Sequence, residues 1–275
     1  MDVSIEAVFD NAGAPDTPGR TLVQWFRTAR LELFRDLVDV EATGDGKVVS
    51  EAQLIGHVDD APCRFPQVGR TWEQFEEGLA AFPWGANITF LSGQGELRTL
   101  GRTSSLHVLG GGSVWRASAA VTLNAPDDAP SCRALVDFLH TALDPSAPAF
   151  GRIEGTNFHE LTNLDAALRR RKRTSLRESR QFLRGYAWVT VCPAELTARL
   201  GGAAKLERSG AFHRVLPLQA GGVLLQASDT LSEYTDEVMQ QVFEALAPVL
   251  PPGEPRPDPA YPAMRFVPRD AATIR

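Results

Sequence analysis

Apolar residues recur along the chain with two different periods, and the switching between them predicts a protein of mixed helices and strands. Between Thr21 and Val38, the residues Val23, Phe26, Leu33, Phe34, Leu37 and Val38 fall three and four apart. Arg27, Arg30, Arg35 and Asp36 occupy the other faces, which is the pattern of a helix with one buried stripe. A short apolar run, Ile5 to Phe9, precedes this helix as a strand, and Val48 to Val58 reads as a second extended segment. A helix from Trp72 to Phe82 is stopped by Pro83. From Asn87 to Asn124 the period drops to two, with Ile88 to Leu91, Ser105 to Leu109 and Val114 to Leu123 separated by glycine-containing turns. In the last of these, Trp115, Ala117, Ala119, Val121 and Leu123 alternate with Arg116, Ser118 and Thr122, as in a strand buried on one face. A helix over Ser131 to Leu143, with Leu135, Val136, Leu139 and Leu143 on one side, ends at Asp144-Pro145.

The stretch from Leu161 to Arg184 is polar and basic and separates two parts that each read as complete. Beyond it the order is strand (Tyr186 to Cys192), short helix (Ala194 to Leu200), strand (Phe212 to Leu218), a Gly221-Gly222 turn, strand (Val223 to Ala227) and helix (Asp236 to Leu250). This is the β-α-β-β-α order of a ferredoxin-like unit, with Met264 to Val267 available as its final strand. Prolines between Pro251 and Pro262 predict an irregular surface connection. The expected fold is therefore α+β, two packed α/β units with mostly antiparallel sheet. The N-terminal unit covers 1–160, a basic junction helix or linker covers 161–184, and the ferredoxin-like unit with a Pro-rich tail covers 185–275.

Composition narrows the function classes. The 275 residues are 43% hydrophobic and 23% charged, ordinary for a folded domain. A net charge of -6 argues against nucleic-acid or anionic-membrane binding by the molecule as a whole. No apolar run reaches the ~20 residues that span a bilayer. The start, Met1-Asp2-Val3-Ser4-Ile5-Glu6, lacks the basic-then-apolar pattern of a secretory signal, so the expected location is the cytoplasm. Cys63, Cys132 and Cys192 are odd in number and far apart, reading as buried thiols rather than a disulfide framework or metal knuckle. His57, His107, His140, His159 and His213 show no metal-ligand spacing. Gly110-Gly111-Gly112 lies between two strands and reads as a hairpin turn, while Asp59-Asp60 and Asp127-Asp128 sit in turn contexts where aspartate caps local amides. There is no nucleophile elbow and no phosphate loop. The sequence predicts no cofactor, no metal and no catalytic set.

The strongest charge feature is Arg169-Arg170-Arg171-Lys172-Arg173 followed by Arg177, Arg180 and Arg184, with only Glu178 opposing them. On a continuous helix Arg169, Arg173, Arg177, Arg180 and Arg184 form one basic stripe. Such a stripe grips phosphates or an acidic partner, or it is a solvated face paired with acids elsewhere, and the sequence leaves all three open.

Three elements follow in order in the second half: Gly185-Tyr186-Ala187-Trp188-Val189-Thr190-Val191-Cys192-Pro193, then Leu200-Gly201-Gly202, then Gly221-Gly222-Val223-Leu224-Leu225-Gln226-Ala227. Together they resemble the C-terminal part of a bacterial family, the type VI secretion immunity-like proteins and related immunity proteins encoded beside polymorphic toxins. The resemblance covers about 70 residues, Arg184 to Pro251, and extends more weakly over Val114 to Gly151. It implies a non-enzymatic protein whose partner is a cognate toxin, and it supplies no active-site residue to transfer. The alternative is a nucleic-acid or regulatory binding protein that uses the Arg169 to Arg184 stretch.

Overall fold

Strand periodicity in both halves resolves into one sheet. The computed structural model describes residues 1–10, 18–44, 48–58, 61–66, 71–81, 85–92, 97–108, 112–155 and 161–274. In chain order the elements are β1 (Asp2–Asp10), α1 (Pro18–Thr28), a π-helical turn (Ala29–Leu33), α2 (Arg35–Ala42), β2 (Val48–Val58), β3 (Ala61–Pro66), α3 (Trp72–Ala80), β4 (Gly85–Ser92), β5 (Leu97–Val108), β6 (Gly112–Thr122), α4 (Ala129–Leu143) and β7 (Phe150–Gly155). They continue with α5 (Asn163–Ala167), α6 (Lys172–Arg177), β8 (Val189–Cys192), α7 (Ala194–Arg199), α8 (Ala203–Arg208), β9 (Arg214–Pro217), β10 (Val223–Gln226) and α9 (Asp236–Leu246).

The strands stand in the order β3-β2-β4-β5-β6-β1-β7-β8-β10-β9, every neighbouring pair antiparallel. The protein is α+β, and its two halves share this sheet through the β7–β8 pair, where Gly151 faces Val191 and Ile153 faces Val189. Two crossovers organise it. Helix α4 carries the chain from β6 to β7 on either side of β1, and α7 with α8 carries it from β8 to β9 on either side of β10. The second is the split β-α-β arrangement of a ferredoxin-like unit. Met264 to Val267, expected as its last strand, is irregular. The place beside β8 that this strand would fill is already held by β7, so no edge is left to pair with. The tail folds back instead. Val267 is buried and donates its N–H to Tyr186 Oη at 2.8 Å, and Arg256 N–H reaches Ala167 O at 2.9 Å.

One face of the sheet is apolar. Val3, Ile5, Ala7 and Phe9 of β1 lie on it with Trp115, Ala117 and Ala119 of β6, and Phe9 stacks on Trp115 with ring centroids 4.0 Å apart. Leu22, Trp25 and Phe26 make the buried stripe of α1, continued by Ala29 of the π turn, and Trp25 meets Phe138 of α4 edge-on at 5.1 Å. Helix α3 opens with a capping box in which Thr71 Oγ1 accepts from Gln74 N–H and Thr71 N–H donates to the Gln74 side chain. The single helix expected over Thr21 to Val38 is interrupted by the π turn, closed by Phe34 N–H on Ala29 O at 2.9 Å. The wider turn re-aims the following residues, and Phe34 stacks on Phe90 of β4 at 6.0 Å. Both edge strands carry proline, Pro62 and Pro66 in β3 and Pro217 in β9, which removes donors from the edges that would template a further strand.

Helices α1 and α3 approach so closely at Gly19 that a β-carbon there would lie 2.2 Å from Ala80 O. Gly19→Ala is expected to force the two helices apart and cost about 1–3 kcal/mol, the range for overpacking. A denaturant titration of the variant against the wild type checks this.

Candidate functional site

Strand alternation puts Ser4, Glu6 and Val8 on the face opposite the apolar one, and register sets Arg152 beside Glu6, Glu154 beside Ser4 and Thr190 beside Arg152. Charges on a central strand pair are costly unless matched. Here they are matched from both sides. Arg152 Nε donates to Glu6 Oε2 at 3.0 Å, and its Nη1 lies 2.6 Å from Glu154 Oε1. The expected junction, 161–184, lies over this face and completes the cluster. Arg184 Nη1 stands 3.7 Å from Glu6 and its Nη2 3.3 Å from Asp165, while its Nε donates to Ser175 Oγ at 3.0 Å. The Ser175 hydroxyl donates in turn to Asp165 at 2.6 Å. Arg170 bridges Asp165 (2.9 Å) and Glu178 (3.0 Å). Thr162 caps α5 by accepting from Asp165 N–H and donates to Arg184 O at 2.6 Å. With Arg116 at 4.0 Å from Glu6, four guanidinium groups (Arg116, Arg152, Arg170, Arg184) face four carboxylates (Glu6, Glu154, Asp165, Glu178) among the described residues.

Burial by itself would push Glu6 upward, but Arg152, Arg184 and Arg116 around it outweigh that and hold its carboxyl below the usual range. Glu154 is buried as deeply and faces Arg152 with Glu6 nearby, so desolvation dominates and its carboxyl is raised. Glu154, not Glu6, is the carboxylate that takes a proton first.

The expected stripe does not form, because the stretch is not one helix. Helix α5 ends at Leu168, the chain reverses through Arg169 at a φ of 52°, and α6 begins at Lys172 and stops before Arg180. The five candidate arginines are thereby sorted. Arg184 is fully buried in the cluster. Arg180 is half-buried and ties three elements together, donating to Asp10 of β1 at 2.8 Å, to Glu195 of α7 at 3.0 Å and to Ala147 O at 3.0 Å. Arg169, Arg173 and Arg177 are exposed, and so is Arg171, which the stripe had omitted. Among the described residues no carboxylate lies within 4 Å of these four. They form a cationic corner on a segment clamped to the sheet from below.

The remaining candidates stay apart. His140 Nε2 meets Pro217 O at 3.1 Å and His213 Nε2 meets Asp229 at 3.3 Å. Cys132 and Cys192 are free and buried; burial raises both thiols, that of Cys192 to about 12, which leaves them inert. Asp59, Asp60, Gly110, Gly111 and His159 lie outside the described residues, as do the side chains of His57, Cys63 and His107. Among the described residues, no three His, Cys, Asp or Glu side chains gather to hold a metal ion, and no helix is long and apolar enough to cross a membrane.

The motifs that carry the family resemblance hold the C-terminal half together. Trp188 is fully buried and donates its indole N–H to Ser228 O at 3.0 Å. Gly201 and Gly202, at φ of 93° and 87°, turn the chain from α7 into α8. No family model and no curated protein matches the chain. Among solved structures it is similar to the Pseudomonas aeruginosa T6SS protein PA0821, with a TM-score of 0.53 and 11% identity over 93% of this chain and 75% of that one. At this identity the likeness concerns the fold.

Removing one member of the cluster strands its partners. Arg184→Ala is expected to cost about 3–5 kcal/mol, whereas Glu178→Gln at the rim should cost about 1 kcal/mol or less. Glu6, held below its ordinary value of 4.5, contributes stability above that pH which is lost as pH falls through its lower folded value. Glu154 has the opposite sign, its contribution being lost as pH rises through its raised value. Urea titrations from neutral to acid pH should therefore show a smaller acid-side loss for Glu6→Gln than for the wild type.

Proposed function

We propose that the protein is an immunity-like binding protein of a type VI secretion system, which acts in the cytoplasm by occupying a cognate toxin and catalyses no reaction itself. The observation that carries this reading is the corner of Arg169, Arg171, Arg173 and Arg177, exposed, without carboxylate partners among the described residues, and held on a segment that the buried cluster makes rigid. Pre-organised charge of this kind favours association, because little side-chain and backbone freedom remains to be lost on binding. The sequence motifs of the second half and the fold shared with a T6SS protein support the same reading.

A genetic experiment tests it even while the toxin is unidentified. A strain lacking the gene is expected to be killed by its secretion-competent parent in mixed culture. Survival should return with the wild-type gene and not with an Arg173→Glu, Arg177→Glu double variant of equal abundance. Undiminished survival of the deletion strain would reject the immunity role.

The same arginines favour one other reading, in which they contact nucleic-acid phosphates. Four contacts would make log K fall by about 3 to 4 per log unit of salt. Given the net charge of -6, oligonucleotide binding is expected to be weak at low salt and without such a slope, as a titration at two salt concentrations will establish.

A further inference from the structure

We propose that Arg169 is the specificity-determining contact of the cationic corner, and that what it recognises is a carboxylate-rich segment of a protein partner. The proposal deepens the immunity-like reading and rests on it.

At the end of α5, Arg169 N–H bonds Ala166 O at 2.9 Å and Arg170 N–H bonds Asp165 O at 2.8 Å. This pair of bonds is the Schellman ending, whose reversing residue is left-handed and is usually glycine. The end of α7 is built the same way, with Gly201 N–H on Ala198 O at 3.0 Å and Gly202 N–H on Thr197 O at 2.9 Å, and there the reversing residue is glycine. Among the described residues Arg169 is the only non-glycine with a positive φ. A β-carbon in that conformation crowds the following carbonyl, so the fold itself would be served better by glycine.

The turn's own hydrogen bonds and the ion pairs of Arg170 hold the backbone here, but none of them uses the Arg169 side chain, which is what makes glycine the cheaper residue. Arg169 is exposed, unlike Arg170 beside it, which the turn swings inward onto Asp165 and Glu178. A side chain that strains the backbone yet is exposed and makes no ion pair among the described residues points to a use outside the molecule. Arg171, Arg173 and Arg177 follow closely in sequence and are exposed as well, so Arg169 stands at the first position of the corner.

The chemistry of the occupant follows from charge and shape. A guanidinium fork matches a carboxylate with two parallel hydrogen bonds, and arginine is enriched at interface hot spots. A carboxylate cluster on a folded protein meets only the corner. A nucleic-acid strand extends past it and meets the remainder of a molecule whose net charge is -6.

Arg169→Gly separates strain from recognition. The variant keeps the turn and is expected to melt higher than the wild type, by roughly 2–4 °C for each kcal/mol of strain relieved. In mixed culture with the killing parent it should lose at least tenfold survival at equal abundance, with Arg169→Lys, which keeps the charge and loses the fork, falling between. A lower melting point overturns the strain argument. Full protection by Arg169→Gly overturns the proposal while the immunity reading stands, and failure of the wild-type gene to protect overturns that reading. The purified wild type should also bind poly-L-glutamate more tightly than an oligodeoxythymidylate of equal charge, with Arg169→Gly weakening the former; preference for the oligonucleotide overturns the assignment to carboxylates.

Discussion

Arg152 and Arg184 converge on Glu6 in the middle of the sheet, and the placement of everything around them follows from that convergence. Glu6 sits on β1, which pairs with β6 and β7 along most of its length. A slip of β1 by one residue would turn Glu6 into the face formed by Ala117, Ala119 and Ile153, where it would meet no guanidinium. A hydrophobic trio at these positions would give comparable or greater stability, since desolvating several ions costs about as much as their attraction returns. What charge adds here is a requirement for a single register.

The same cluster decides where the flexible-looking basic stretch goes. Residues 161–184 form only two short helices, neither long enough to be stable alone. They are held because Asp165, Ser175 and Arg184 close onto one another and onto Glu6, while Arg180 pins the following turn to β1 and α7. Arg170, Arg180 and Arg184 fix the segment, and Arg169, Arg171, Arg173 and Arg177 are displayed by it. Rigidity and display are thus two outcomes of one run of sequence.

This division was not legible from spacing. Helices α4 and α9 and the period-two strand β6 stand where their patterns put them, because each buries one face and wets the other, while the helix expected over Thr21 to Val38 is divided by the π turn. Strand β7 carried no such signal. Its residues Phe150 to Glu154 are buried on both faces, and its charges point inward, so Phe-Gly-Arg-Ile-Glu-Gly, coming after Pro145 and Pro148, resembles a loop. Without β7 there was no visible partner for β8, and Met264 to Val267 looked like the missing strand. The stripe that a continuous helix over the basic stretch would make is absent for a related reason. The end of α5 is set by Arg169 in a conformation that predicts glycine, and the burial of Arg184 depends on an acid at the opposite end of the chain. The resemblance motifs, by contrast, fall on positions under constraint, Trp188 through its burial and Gly201-Gly202 through their positive φ.

The sheet is asymmetric in a way that bears on how the corner meets a partner. Over β1 and β7 to β10, the charged face is covered by the 161–184 segment, α7, α9 and the tail. Over β2 and β4 it presents Val49, exposed, with Glu51, Gln53, Asn87 and Thr89. The described helices touching those strands lie on the other face, as Phe34 on Phe90, Glu41 on Ser50 and Gly78 against Leu54 demonstrate. On the charged face the arginine-bearing segment lies over β1 and β7, with β5 and β6 between it and the polar positions of β4 and β2. Charge would set the orientation of a complex formed at the arginines, because Arg169, Arg171, Arg173 and Arg177 are exposed and make no ion pair among the described residues.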